Sequence, residues 1–130
     1  KICFPGKSNN EMLKYFVEMK GAVPKKVLRK AAFKEKHFDR DENLRIAEVD
    51  KVTGKTMFRV FDNNTLSANK TGNLESMLNA VCVEHGGDDF ERKKVRQLSD
   101  LLEKIFILDP ERRITAGECL QHPFIIDTSK

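Results

Sequence analysis

Leu108-Asp109-Pro110-Glu111-Arg112-Arg113-Ile114-Thr115-Ala116, followed a few residues later by Leu120-Gln121-His122-Pro123-Phe124, is the stretch from which the rest of this 130-residue chain can be read. Proline lacks an N–H and crowds the residue before it out of the helical region, so Asp109-Pro110 predicts the end of a helix. Thr115-Ala116-Gly117-Glu118 predicts a new start, with the threonine oxygen capping the Glu118 amide while the glutamate reaches back to the cap. A helix of one or two turns should follow and end at Pro123. Gly117 is a poor helix former within it.

Upstream, Asp88 to Leu108 carries the longest helical pattern: Val95, Leu98, Leu102 and Ile105 recur at three and four residues, and Leu101 and Leu108 widen the stripe. Asp88 and Asp89 suit its first turn, where the helix dipole favours negative charge. Leu74, Met77, Leu78 and Val81 repeat the spacing and stop before Gly86-Gly87. Asn63 to Asn73 is polar and is expected to be a mobile loop. Arg45–Val49 and Thr56–Phe61 are β-type runs separated by Val52-Thr53-Gly54-Lys55, which predicts a hairpin. Pro24 should open a short helix reaching about Ala32. Ser8-Asn9-Asn10-Glu11 reads as another capping box, opening a helix striped by Met12, Leu13, Phe16, Val17 and Met19 and closed at Gly21.

Composition bounds the function classes. With 39% apolar and 34% charged residues, no run of 18 apolar residues and no signal-peptide pattern, the chain is expected to be soluble and intracellular, with no membrane partner. Cys3, Cys82 and Cys119 are scattered and form no CxxC, so they are expected to be reduced. His37, His85 and His122 share no ligand spacing with them, and His122 is expected to be a packed or capping imidazole. The net charge of +4 is concentrated early: residues 1–36 hold ten Lys or Arg against three acids, with Lys25, Lys26, Arg29, Lys30, Lys34 and Lys36 clustered. Such a cluster attracts anionic partners, although no aromatic-interleaved RNA motif or zinc-finger spacing accompanies it.

The order of helix, basic insert with hairpin, long helix, Asp-Pro turn and short capped helix resembles the last three helices of a eukaryotic protein-kinase C-lobe, conventionally G, H and I. Asp-Pro-x-x-Arg and His-Pro-Phe are its general signals, and Ile2-Cys3-Phe4-Pro5-Gly6 looks like the loop leading into helix G. The insert is of the kind found in the CMGC group. Through Lys20-Gly21, Pro24, Lys26, Arg29-Lys30, Phe33, His37-Phe38 and Glu48-Val49-Asp50-Lys51-Val52-Thr53 the chain is similar to the pre-mRNA-processing kinase number four family. Ala31 stands where that family tends to have glycine.

The resemblance implies a mainly α fold, the C-terminal portion of a kinase-like C-lobe with one small β-hairpin. It divides the chain into a helix G region at 1–21, a CMGC-type insert at 22–87, and helices H and I at 88–130. It implies a nuclear parent, a serine/threonine kinase that phosphorylates spliceosomal proteins with ATP and Mg2+. The sequence carries no Gly-rich phosphate loop, His-Arg-Asp or Asp-Phe-Gly, so no catalytic, cofactor-binding or metal residue is assigned and the chain alone is expected to be inactive. Arg113 matches the arginine that pairs with the glutamate closing the activation segment, and the remainder of the kinase domain is its implied partner. Lys14, Tyr15 and Lys20 are expected to face outward and, with Lys25, Lys26, Arg29 and Lys30, to offer a docking surface for protein substrates. An apolar face left uncovered would favour self-association. Two rivals stand beside this reading: a non-catalytic interaction module and a small basic RNA-binding domain.

Overall fold

A computed structural model describes residues 2–62, 65 and 73–129, so most of the polar stretch expected to be mobile lies outside the described residues. The described chain is mainly helical with one two-stranded antiparallel sheet, as expected. It forms two compact units, Lys1–Thr71 and Gly72–Lys130.

In the first unit, α1 (Asn9–Lys20) starts where Ser8 Oγ accepts from the Glu11 amide at 3.2 Å. The return half of the capping box is displaced by one residue, because the Glu11 carboxylate accepts from the Lys7 amide at 2.6 Å instead of the cap's own. Gly21 ends the helix with φ 87° and ψ −176°, its N–H donating to the Val17 carbonyl. That conformation belongs to glycine almost alone, and the helix closes at Gly21 as the sequence predicts. Before the helix, Phe4 meets Phe16 edge-on at 4.9 Å. Gly6 lies so close to Met12 that a Cβ there would stand 2.8 Å from the Met12 nitrogen.

Pro24 caps the short helix α2 (Lys25–Lys30), and α3 (Lys34–His37) follows. The hairpin pairs β1 (Leu44–Val49) with β2 (Thr56–Phe61) in the register Leu44↔Phe61 through Val49↔Thr56. Its tip is organised by Asp50, whose carboxylate accepts from Val52 N at 2.8 Å and Thr53 Oγ1 at 2.8 Å; these bonds hold its pKa below the ordinary carboxylate range. Alternation on β1 turns Leu44 and Ile46 inward. They join Val17, Leu28 and Phe38 in a five-residue core, with Leu13, Val23 and Phe61 packed against it. Val17 and Leu44 are fully buried, each contributing about 1.5–3 kcal/mol of transfer free energy.

In the second unit, α4 (Leu74–Glu84) packs on α5 (Asp89–Ile105). The compact units therefore divide the stretch 22–87: its hairpin belongs to the first and α4 to the second. Asp88 and Glu91 close a full capping box on α5. Its most buried positions are Ser99 and Leu101, while the periodic Val95, Leu98, Leu102 and Ile105 are half-buried. Ser99 can sit there because its hydroxyl donates to the Val95 carbonyl at 2.8 Å, leaving no unmet donor. The helix ends at Ile105, before the Asp-Pro pair. Thr115 and Glu118 form the expected capping box of α6 (Ala116–Cys119). Pro123 does not close that helix but opens a further turn, α7 (Pro123–Ile126), since its fixed φ suits a first helical position.

Candidate functional site

The residues singled out from the sequence fall into three places. On α2 the exposed Lys25, Lys26, Arg29 and Lys30 stand at i, i+1, i+4 and i+5, forming one basic face opposite the buried Leu28. Glu42 lies within their field. It ion-pairs with Lys34 at 3.0 Å, and the Lys34 hydrogen bond, assisted by the charges of Lys34, Lys25 and Arg29, holds its pKa low. Glu42 is the one described non-glycine residue with a positive φ, 66°.

On α1 the structure does not gather Lys14, Tyr15 and Lys20 on one outward face. At about 100° per residue, Lys14 and Lys20 flank the buried Val17 by about 60° on either side, and Tyr15 alone points away. All three are half-buried. Lys14 pairs with Glu18 at 3.6 Å and lies 5.4 Å from the Phe61 ring centre. It packs α1 onto the hairpin as much as it faces solvent.

Arg113 is exposed, at the turn after α5. Its Nε donates to the Ile107 carbonyl at 2.9 Å and its Nη2 to the Leu108 carbonyl at 3.3 Å. Asp109, buried beside it, accepts from the Glu111 amide through Oδ1 at 3.0 Å, and its carbonyl accepts from the Arg112 and Arg113 amides. The Asp-Pro-x-x-Arg signal thus encodes a self-closed turn that presents an arginine.

His122 is the residue whose weight the sequence understated. It is 5% exposed; Nδ1 accepts from the Phe124 amide at 3.1 Å, capping α7, which leaves Nε2 to donate to Asp100 Oδ2 at 2.8 Å. Asp100 also takes Lys104, and these two partners, Lys104 first, lower its pKa. Nearby Asp127 binds Lys93 at 2.8 Å and Gln97 at 2.8 Å, and with Ser129 they push its carboxyl far below the usual range. The sequence signal that could have found this cluster is the one-helix spacing of Lys93, Gln97, Asp100 and Lys104. Among the described residues no group of three or more His, Cys, Asp or Glu is placed to hold a metal. No helix among them is long and apolar enough to cross a membrane.

Comparison with known proteins fits this geometry. No protein-family model matches the chain. It is 39% identical over 125 residues, 96% of its length, to serine/threonine-protein kinase prpf4B of Dictyostelium discoideum. It is 33% identical over 126 residues, 97% of its length, to serine/threonine-protein kinase prp4 of Schizosaccharomyces pombe. A shorter match, 57% over 30 residues, links it to mitogen-activated protein kinase pmk-3 of Caenorhabditis elegans, of which it covers 6%. The chain spans 15% of the first relative and 25% of the second. A self-closed Asp-Pro-x-x-Arg turn, a histidine-capped last turn and end-to-end likeness to two kinases define a segment of a eukaryotic serine/threonine-protein kinase. Over nearly its whole length it is similar to the prp4 kinases.

Proposed function

We propose that this chain serves as the C-lobe end of a CMGC-group kinase acting in pre-mRNA splicing in the nucleus, stiffening the lobe and offering a docking surface to protein substrates. The observation that carries the reading is the likeness over 96% and 97% of the chain to proteins named prpf4B and prp4 kinases. Catalysis in such a protein rests on ATP and Mg2+ held by other parts of the kinase domain, together with positioning and electrostatic stabilisation of the transferred phosphoryl group. The role of this segment is mechanical and recognitive. Arg113 braces the activation segment through a bidentate pair with a glutamate carboxylate, and the basic face of α2 attracts acidic stretches of substrates.

The test uses the complete protein that contains this chain. Phosphorylation of a long spliceosomal substrate and of a short peptide is compared in the parent and in the Lys25→Glu/Lys26→Glu/Arg29→Glu variant. A raised KM for the long substrate with an unchanged kcat on the peptide supports docking. Absence of Mg-ATP-dependent phosphotransfer in the parent overturns the kinase reading, and identical KM values in both proteins overturn the docking role.

A further inference from the structure

Apart from the α2 face, the first unit holds a cavity of about 450 Å3 lined by Lys34, Glu35, Phe38, Asp39, Arg40 and Arg45. Arg45 reaches it from β1. Its guanidinium lies 5.0 Å from the Phe58 ring centre, and its Nη2 donates to the Glu35 carbonyl at 2.7 Å. Stacking and hydrogen bond together fix the plane of the group. Its Nε is shut off from solvent and, among the described residues, has no acceptor. A buried guanidinium N–H without a partner is costly, so the orphan marks a place where an acceptor would be welcome.

Arg40 stands on the 39–43 loop across the same cavity, exposed and with no ion-pair partner among the described residues. The opposing acids are mostly committed. Asp39 Oδ1 accepts from the Asp41 and Asn43 amides at 2.9 Å each, and its Oδ2 faces Asn43 Nδ2 at 3.4 Å, so this carboxylate closes its own loop. Glu42 holds Lys34 from the side. Glu35, on the rim, is the remaining acid lining the cavity.

The guanidinium of Arg40 and the unpartnered Nε–H of Arg45, with the Glu42-paired Lys34 beside them, make a donor set for a doubly charged oxyanion in place of a single carboxylate. The geometry points to a recognition cavity for a phosphorylated serine or threonine side chain of a protein segment, held between Arg40 and Arg45. Binding requires the Arg45 side chain to move until its shielded Nε–H meets a phosphate oxygen, and Phe38 supplies an apolar wall. The site uses none of the docking residues of α1 and α2, so it stands or falls independently of that surface.

The probe is the tripeptide acetyl-Gly-phosphoserine-Gly-amide, titrated into the 130-residue chain while the Arg45 Nε–Hε resonance is followed by NMR, with the titration repeated in the complete protein. A saturable shift is expected in the low-millimolar range. The glutamate and unphosphorylated-serine peptides should bind at least about tenfold more weakly, the loss of one charge-assisted pair. Arg40→Gln, on an exposed loop and therefore free of folding consequences, should weaken the phosphopeptide by about the same factor, and Arg45→Lys by at least as much. Equal response to phosphorylated and unphosphorylated peptides overturns the proposal. So does an Arg40→Gln variant that binds like the parent, or displacement of the peptide by a uridine oligonucleotide of higher affinity.

Discussion

Replacing His122 by alanine removes three things at once, and each has a magnitude. The cap on α7 goes with Nδ1, at a cost of about 1 kcal/mol. The hydrogen bond to Asp100 is charge-assisted but lies on a carboxylate whose side chain is 57% exposed, so it is discounted to about 1 kcal/mol. Loss of the buried ring from a site only 5% exposed adds about 1 kcal/mol more. The sum of about 3 kcal/mol corresponds to roughly a hundredfold rise in local opening. Native-state amide exchange at Ile125 and Ile126, whose amides donate to the His122 carbonyl, reads that opening directly. His122→Asn, which preserves a capping oxygen, should lose about 2 kcal/mol, and Asp100→Asn about 1 kcal/mol. The reasoning fails if His122→Ala accelerates exchange less than about fivefold, a loss of about 1 kcal/mol. It fails equally if Asn and Ala at 122 are indistinguishable while Asp100→Asn is silent.

Arg113→Ala in this chain should cost about 1 kcal/mol, because two exposed hydrogen bonds to the Ile107 and Leu108 carbonyls are lost; in a complete kinase domain a paired carboxylate raises the loss to about 3–5 kcal/mol, and equal losses in thermal melts of both proteins would refute the brace. Gly21→Ala should cost about 1–3 kcal/mol with no steric contribution, since a Cβ there meets nothing within 4 Å; Gly21→Asn should not rescue it, and an asparagine variant melting like the parent would overturn the backbone argument. Asp127, Asp100 and Glu118 all have native pKa values below their ordinary ones. The native state therefore binds fewer protons than the unfolded one, and the stability they supply is present above about pH 4 and lost as pH falls through the native values. Asp127→Asn should flatten part of that acid-side decline in melts followed by circular dichroism from neutral to strongly acid pH, and superimposable profiles would refute its share.

What the sequence made legible were the features governed by near neighbours. The box at Thr115–Glu118, the strands at 44–49 and 56–61 and the arrest of the long helix near Asp109 depend on residues within a turn or two. Even so, proximity alone did not say whether Glu11 would return to Ser8 or to Lys7, because both amides lie within reach of one flexible side chain. Pro123 likewise reads equally as a stop or a start, and the imidazole of His122 decides for a start by capping the next turn. The candidate sites were less visible. Lys14 and Lys20 read as outward only until Val17 is known to be the buried position that both flank. The Arg45 cavity gathers residues from a helix, a loop and a strand, and its orphan nitrogen has no sequence signature at all.

The hairpin register carries a consequence for how this segment tolerates insertions and deletions. Residues added between Lys51 and Thr53 would lengthen a solvent-exposed tip, where Val52 is already 94% exposed, without altering the pairing of Leu44 with Phe61. One residue deleted between Leu44 and Ile46 would turn the two inward side chains onto opposite faces and empty one of the five core positions. Length variation among related chains should therefore collect at the tip and be absent from the base of β1, even where the residue identities at the two places drift equally.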